Sequence, residues 1–342
     1  MQNTFSFRDL FPGTARGRGL LAGFLEANGL RYEDDVQGGI GAFDGDELVA
    51  CGCFSGGILK CFAVSGSVRG NNVLGAILTR LVSLQFQRGI YRLGVYTAPK
   101  NSALFEASGF YPVCSTEHVA FLENVPNGIA AFAAANILSE DAGKDAGAIV
   151  MNCNPFTKGH RYLVEYAAER SELVYIFVVE EDRSAFPFSV RLKLVQEGTA
   201  DIPNVRVIGS GSYMISSATF PTYFLKEKTD ATAVQAELDA ALFATGIAPA
   251  FGIRRRYAGN EPCCLLTRQY NHIIREVLSR QRLEFEEIPR LVEQGEAVSA
   301  SSVREYIREK GVTESLAALV PDSTLHFLRS PEADEIIVTL RG

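Results

Sequence analysis

The chain has 342 residues, of which 47% are hydrophobic and 21% are charged, as in an ordinary globular protein. It carries 33 Lys and Arg against 40 Asp and Glu, which gives a formal net charge of −7. These values exclude a largely disordered, collagen-like or coiled-coil chain and argue against a protein that wraps nucleic acid. The length favours two domains.

The N-terminal third of the chain is predicted to form a small mixed α/β domain. Alternating apolar residues predict strands at 47–54 and 58–64, joined by a Ser-Gly-Gly turn. Apolar residues spaced three and four apart predict a helix at 73–88. Further elements are expected as helices at 17–28 and 102–108 and as strands at 90–97 and 118–122.

After an Ala-rich stretch, the chain changes at residue 145 to a regular alternation of strands and helices. Strands are expected at 146–151, 173–179, 204–208, 250–257 and 283–288, with helices at 159–170, 189–200, 234–244, 267–280, 302–309 and 314–318. Repeated β-α-β units predict a Rossmann-like, doubly wound parallel sheet, which binds ligands at the carboxyl ends of its strands. We therefore predict a domain at 1–130, a linker at 131–144 and a second domain at 145–342.

The seven cysteines lie mostly within apolar runs, which favours reduced, buried thiols over disulfide bonds. Their spacing and the four histidines do not favour a zinc site, and we expect no metal held by the protein itself. The sequence shows neither a basic leader with a long apolar core nor a run of about 18 apolar residues. We therefore expect a cytoplasmic protein that does not span a membrane.

The most informative segment is MNCNPFTKGH at residues 151–160, which follows the first strand of the second domain and opens its first helix. A helix N-terminus holds a phosphate well because its amides are unpaired and its dipole is positive there. Thr157 and His160 offer hydrogen-bond donors to phosphate oxygens, and Lys158 adds a positive charge. Gly159 allows backbone to approach a ligand without an intervening side chain.

Other polar groups carry weaker signals. Cys153 lies inside the loop with no adjacent His, so we interpret it as apolar filler and not as a nucleophile. Arg191 is a candidate phosphate ligand for which an ordinary structural role is favoured. The basic run at 254–256 is either a solvated cluster or a local patch for an acidic partner.

The loop NPFTKGH resembles the (T/H)xGH signature of the nucleotidylyltransferase superfamily, which holds the phosphates of ATP. That superfamily implies a later ISxTxxR motif at a helix start, and VSASSVR at 298–304 is similar to it. The resemblance implies catalytic roles for Thr157, Lys158 and His160, with Thr157 replacing an imidazole by a hydroxyl. It also implies ATP contacts from Met151, Asn152, Asn154, Pro155, Phe156, Gly159, Gly259, Ser301, Ser302 and Arg304.

Longer segments are similar to the citrate lyase ligase family, at 186–195, 198–203, 215–224 and 267–271. This resemblance implies that acetate and ATP, with Mg²⁺, form acetyl-AMP and pyrophosphate. The acetyl group then passes to the thiol prosthetic group of the citrate lyase acyl carrier subunit, and AMP leaves. The implied partners are acetate and that carrier, without nucleic acid or membrane.

The same family implies an N-terminal domain similar to GNAT acetyltransferases. NSALFEASGFY at 101–111 resembles the late helix-to-strand turn of that fold, and RGNNVLG at 69–75 stands where its acyl-CoA pyrophosphate loop would be. The resemblance implies that Arg69, Gly70 and Asn101 contact a CoA-like carrier arm. Leu74 departs from the glycine pattern, so the domain is either a scaffold or a recognition module for the arm.

Three alternatives remain open at this point. A tRNA cytidine acetate ligase has a similar NPFxxGH loop, but the acidic balance and the GNAT-like domain argue against it. A nucleotide-cofactor adenylyltransferase would use the same two motifs without acetate. A carrier-binding protein without enzymatic activity would not bind ATP.

Overall fold

One segment from the second half of the chain packs with the N-terminal half. A computed structural model describes residues 5–181, 183–216, 220–226, 230–260, 265–293 and 296–342. One compact unit contains Met1–Gly128 together with Phe220–Val234, and the other contains Ile129–Thr219 together with Gln235–Gly342. The segment at 220–234 therefore packs with the N-terminal unit, which the linear division into domains did not anticipate.

Residues 131–144, predicted as a linker, form part of the C-terminal unit instead. Most of the Ala-rich stretch lies in a helix, Gly128–Asn136, and its Ala133 is buried. Asp141, 3% exposed, pairs with Lys144 and with Arg206 of the sheet. These buried contacts fix the stretch to the C-terminal unit.

The N-terminal unit is built on a seven-stranded mixed sheet. Its strands are β1 (Ser6–Leu10), β2 (Gly38–Asp44), β3 (Glu47–Ser55), β4 (Ile58–Val64), β5 (Gly94–Thr97), β6 (Tyr111–Ser115) and β7 (Ala120–Glu123). Its helices are α1 (Ala15–Ala27), α2 (Val73–Gln87) and α3 (Ser102–Glu106). The strand order is β1-β2-β3-β4-β5-β7-β6, and among the described strands of this sheet only β4 and β5 pair in parallel. All predicted elements of this part are confirmed, whereas β1, β2 and β6 were missed.

Three buried cysteines of this sheet pack in one core cluster. Leu21 and Leu25 of α1 pack in the same core cluster as Cys51, Cys53 and Cys61. Among the described residues Cys153 is also buried and Cys114 is partly buried, all five being free thiols. Burial raises the pKa of the Cys61 and Cys153 thiols, which keeps them protonated at neutral pH. Cys263 and Cys264 lie outside the described residues.

The C-terminal unit contains a five-stranded parallel sheet. Its strands are β8 (Ala146–Met151), β9 (Leu173–Val178), β10 (Val205–Gly209), β11 (Ile253–Gly259) and β12 (Glu284–Ile288). The order β10-β9-β8-β11-β12 confirms the doubly wound fold, and the strand order reverses between β8 and β11. A parallel sheet of this kind binds its ligand in the crevice at such a switch point.

Helices cover this sheet and form a C-terminal bundle beside it. They are α4 (Gly128–Asn136), α5 (Lys158–Ala168), α6 (Phe188–Gly198), α7 (Ala231–Leu242), α8 (Ala248–Phe251), α9 (Leu265–Arg280), α10 (Ala300–Lys310), α11 (Asp322–Leu328) and α12 (Asp334–Arg341). The strand predicted from residue 250 begins later, because α8 runs to Phe251 and Gly252 ends it with φ +67°. A short hairpin joins β13 (Val292–Glu293) to β14 (Glu296–Ala297). No helix within the described residues is long and apolar enough to cross a bilayer.

Candidate active site

The first motif lies at the switch point of the parallel sheet. Met151 is the last residue of β8, and α5 begins at Lys158. Thr157 is the N-cap of α5, with extended backbone and a hydroxyl that accepts from the His160 N–H at 3.3 Å. The loop therefore presents the positive end of a helix at the edge of the sheet where ligands bind.

The ring of His160 is held in one orientation by the same cap. The Thr157 backbone N–H donates to Nδ1 at 3.1 Å, and the Thr157 hydroxyl lies 2.9 Å from that nitrogen. Phe156 stacks on the imidazole with ring centroids 5.9 Å apart and an interplanar angle of 13°. Because Nδ1 accepts the amide proton, the neutral ring carries its own proton on Nε2. His160 therefore offers an Nε2–H donor on the side away from the cap.

The environment of His160 favours this neutral form. Burial, with a contribution from the charge of Arg290, lowers the pKa of His160 from 6.5 to about 4. An imidazole with so low a pKa is a weak base and is uncharged at neutral pH. The ring is consequently suited to donate a hydrogen bond to a phosphate oxygen rather than to act as an acid or base.

The pKa of His160 makes the stability of the protein dependent on pH. The unfolded state binds a proton below about pH 6.5 while the folded state resists it down to about pH 4, so stability is full above this window and falls through it. Between about pH 7 and pH 5, we expect the wild type to lose up to about 2 kcal/mol more than His160→Asn. Urea unfolding of both proteins at the two pH values measures the difference. Equal losses would contradict a depressed pKa for His160.

Thr157 does not reach the site in the way that we predicted. Its side chain is fully buried, and its hydroxyl is engaged with the His160 amide and ring. The geometry thus makes Thr157 a positioning residue for His160, without a hydroxyl directed to a phosphate. Residue 157 is Thr, where the (T/H)xGH signature can also have His. His160 is therefore the imidazole of this loop.

The second motif packs directly onto the first. A Cβ atom on Gly159 would stand 2.5 Å from the carbonyl oxygen of Val298. We expected Gly159 to give room to a ligand, but its missing side chain gives room to the protein's own backbone. The Gly159 amide has no protein partner among the described hydrogen bonds, whereas the Lys158 amide donates to Leu319 at 2.9 Å. Gly159 therefore supplies a free donor of the helix N-terminus and admits the second motif.

Replacing Gly159 is expected to push the two motifs apart. In Gly159→Ala the new methyl group meets a backbone carbonyl, so we expect the free energy of unfolding to fall by about 1–3 kcal/mol. Gly19→Ala is the matched control, because Gly19 is an exposed helical residue with open space around its Cβ position. That control should gain up to about 1 kcal/mol. Urea unfolding measures both, and an unchanged stability of Gly159→Ala would contradict the close packing.

Arg304 joins the two motifs through a hydrogen bond. Its guanidinium donates to the carbonyl of Asn154 and, at 3.2 Å, to the hydroxyl of Ser301. Ser299 is the N-cap of α10 and forms a reciprocal capping box with Ser302, so the Ser302 hydroxyl is used within the helix end. Burial, with a smaller effect of a neighbouring arginine, lowers the pKa of Arg304. A partly buried cation of this kind gains from an anionic ligand.

Arg290 is a cation of this region that the sequence analysis missed. Its Nε donates to the carbonyl of Asn260 at 2.9 Å, and its backbone N–H donates to the Asn260 side chain at 3.2 Å. These contacts place Arg290 at the carboxyl end of β11, beside Gly259. Its charge contributes to the low pKa of His160, and both residues lie at the edge of the sheet formed by the carboxyl ends of the neighbouring strands β8 and β11. The sequence did carry a signal for Arg290: it lies just after β12, and residues at the carboxyl ends of parallel strands are candidate ligand contacts.

Arg191 holds the loop by buried hydrogen bonds, and its guanidinium is used within the protein. It is fully buried, and its guanidinium donates to Asn152, Val179 and Phe186 at 2.8–3.0 Å. Asn154 accepts from the Phe186 amide at 3.0 Å, which fixes the other side of the loop. The favoured structural role of Arg191 is therefore confirmed.

The arginines at 254–256 form neither the solvated cluster that was favoured nor the local patch that was its alternative. The side chain of Arg254 is 80% exposed and faces Asp145 at 3.5 Å. Arg255 pairs with Glu284 on the neighbouring strand. Arg256 is buried and pairs with Asp239 at 3.3 Å. The three charges are thus separated and each has an acidic partner.

The residues predicted to contact a CoA-like arm lie in two loops of the N-terminal unit. Arg69 and Gly70 are exposed just before α2, and Gly70 has φ +91°. Asn101 precedes α3 and is partly exposed. Gly75 gives room to the Asn72 side chain, whose Oδ1 would lie 2.7 Å from a Cβ there. The last glycine of the 69–75 segment, in the first turn of α2, thus serves an internal contact.

Comparisons with known proteins place the two motifs within a known family. The family model of the citrate lyase ligase C-terminal domain matches residues 146–328, which include both motifs. The [citrate [pro-3S]-lyase] ligase of Escherichia coli K12 is 39% identical over 316 residues, covering 91% of this chain and 90% of that protein.

Two solved structures are similar to separate parts of the chain. An acyl-CoA N-acyltransferase from Pseudomonas aeruginosa covers 36% of this chain and 100% of its own, with 12% identity and a TM-score of 0.30. A bifunctional NMN adenylyltransferase/ADP ribose pyrophosphatase from Francisella tularensis covers 58% and 52%, with 12% identity and a TM-score of 0.39. The mixed α/β fold class follows from the strand order given above. Since the sequence match to the ligase extends over nine-tenths of both proteins and includes both motifs, the chain belongs to the citrate lyase ligase family of enzymes.

Proposed function

We propose that this enzyme uses ATP to acetylate the thiol prosthetic group of the citrate lyase acyl carrier subunit, and so activates citrate lyase. The observation that carries the proposal is the hydrogen bond from Arg304 to the Asn154 carbonyl, which joins the two phosphate-binding motifs at the switch point of the sheet. The family membership supplies the substrate class.

In the first step an oxygen of acetate attacks the α-phosphorus of ATP. The bond from the α-phosphorus to the bridging oxygen breaks, which gives acetyl-AMP and pyrophosphate. No protein nucleophile takes part, and the residues act by alignment and by neutralising charge. The Nε2–H of His160, the Gly159 amide and the guanidinium of Arg304 are the donors that would bind phosphate oxygens, with Arg290 and Lys158 adding positive charge.

The residues at this edge of the sheet fit a nucleotide better than a directly bound metal. No group of three or more His, Cys, Asp or Glu able to hold an ion occurs in the described part of the chain. The donors around α5 are cations and amides, which bind anions. Mg²⁺ would therefore be held chiefly through the phosphates of ATP, where it neutralises charge on the leaving pyrophosphate.

In the second step the carrier thiol attacks the acetyl carbonyl carbon of acetyl-AMP. A thioester forms, the acyl–oxygen bond breaks, AMP leaves, and the thiol proton passes to solvent. Cys153 is not an intermediate acceptor, because burial raises the pKa of its thiol and its side chain is only 1% exposed. The acetyl group thus moves directly from the nucleotide to the carrier. The free thiols of the protein fit a reducing, cytoplasmic setting.

The proposal is tested by incubating the protein with acetate, Mg-ATP and the deacetylated carrier. We expect acetate-dependent release of AMP and acetylation of the carrier, measured by nucleotide chromatography and mass spectrometry. AMP release that requires tRNA, or pyrophosphate release with NMN or phosphopantetheine in place of acetate, would replace the proposal with one of its rivals. Absence of ATP binding in calorimetry would contradict any such activity.

A further inference from the structure

The two parallel strands of the N-terminal sheet separate soon after they begin to pair. Ile58 and Leu59 of β4 lie opposite Gly94 and Val95 of β5, and within the described strand pairings no later residue of β4 faces β5. β4 continues to Val64 beside β3, while β5 continues beside β7. The backbone groups on the facing edges beyond Leu59 must therefore find other partners.

The chain's own residues 220–226, here called the docked segment, supply one such partner and fill the gap with side chains. The hydroxyl of Tyr223 donates to the carbonyl of Tyr96 on β5 at 3.4 Å. The same side chain packs in one core cluster with Cys61 and Ala63 of β4, so it meets residues of both strands. Tyr223 is 3% exposed and packs in the core cluster of the buried cysteines, and Phe220 meets Tyr96 edge to face at 5.7 Å.

The backbone of the docked segment is fixed by residues that follow α1. Glu33 accepts from the Thr222 amide and, at 3.0 Å, from its hydroxyl. Arg31 donates its backbone N–H to Tyr223 at 3.1 Å and its guanidinium to Thr222 at 3.0 Å. Glu33 is held in turn by Lys60, 3% exposed, at 2.7 Å. A buried ion pair with Lys60 therefore orients the Glu33 carboxylate that accepts the hydrogen bonds of Thr222.

We propose that the gap between β4 and β5 is the docking site of residues 220–226, so that the N-terminal unit clamps this segment and does not take a CoA or pantetheine arm between these strands. An extended amide chain entering the gap would need the same strand edges that Tyr223 occupies. The proposal decides between the two roles that the sequence left open for this unit, in favour of the scaffold. It does not depend on the proposed acetylation.

Hydrogen exchange of the full-length protein tests the clamp. Peptides covering 220–226 should be protected in the wild type, and Glu33→Gln should speed their exchange about 10- to 100-fold through loss of a charge-assisted hydrogen bond. Glu47→Gln is the matched control, since Glu47 is exposed on β3 of the same sheet. Tyr223→Phe, which removes only one hydroxyl, provides a second variant if Glu33→Gln does not fold. Unprotected wild-type peptides, or variants identical to the control, would overturn the proposal.

Calorimetry with CoA as the probe tests the exclusion. We expect no binding to the wild type up to about millimolar CoA, a concentration at which a specific site would be filled. Binding that leaves the exchange of 220–226 unchanged would place CoA elsewhere and would support the clamp. Binding that speeds exchange of this segment would show that CoA displaces it, and the proposal would fail. Neither readout uses ATP or acetate, so the outcome is independent of the acetylation assay.

Discussion

Replacing His160 by alanine should slow acetate-dependent formation of acetyl-AMP by about 10²–10³-fold, as expected for the loss of one preorganised donor to a developing negative charge. The structure gives the reason in the fixed tautomer. The Thr157 amide occupies Nδ1 at 3.1 Å, so the donor at Nε2 is set before the substrate binds. Single-turnover measurement of AMP transfer at saturating ATP and acetate isolates this step from release of products.

Two further variants separate the donor from the cap. The Asn side chain of His160→Asn can accept from the Thr157 amide but cannot reach the position of Nε2. We therefore expect this variant to be more stable than His160→Ala but equally slow. His160→Gln carries an amide donor of similar reach, and about a tenfold deficit is expected, which a purely structural role would not produce. His272→Ala is the matched control, because His272 is 69% exposed on α9. Near-normal rates in His160→Ala would remove His160 from the chemistry.

The sequence predicted the positions of the site better than the roles of its residues. A helix N-terminus after a buried strand is a local pattern, so the residues at 151–160 were found directly. The Thr157 hydroxyl is used by His160 within the same helix cap, whereas the role of Gly159 depends on Val298, and therefore on packing between segments about 140 residues apart. Arg290 was missed for the same reason: only the parallel pairing of β11 and β12 brings it to Gly259.

The fold was predictable where the pattern was strongly periodic. β8 and β9 are continuous apolar runs, and their bounds agree with the prediction within one residue. β2 was missed because its sequence, GGIGAFD, is rich in glycine and carries no clear alternation. Its glycines are required by neighbours, since a Cβ on Gly41 would approach the Leu48 side chain to 2.7 Å. The placement of residues 220–226 in the N-terminal unit depends on Glu33 and Tyr96, which are distant in sequence. No pattern within the segment itself predicts it.

The second large effect is expected for Arg304. Arg304→Ala removes a cation from the phosphate site and also the hydrogen bond that ties α10 to the Asn154 carbonyl. We expect acetyl-AMP formation to fall by about 10²-fold or more, with a raised KM for ATP, because both binding and charge neutralisation are lost. Arg308→Ala is the matched control, since Arg308 lies one turn further along α10, is half exposed and pairs with Glu305.

Arg304→Lys distinguishes the charge from the geometry of the guanidinium. Lysine keeps the positive charge but cannot donate at once to the Asn154 carbonyl and to a phosphate in a fixed fork. If Arg304 serves only as a charge, the Lys variant should approach wild-type rates; if it joins the motifs, the Lys variant should remain at least about tenfold slower. We expect the second result. An ATP KM and rate unchanged in both variants would show that the second motif is a helix cap without a part in ATP binding, and the proposed adenylylation site would then lose its defining contact.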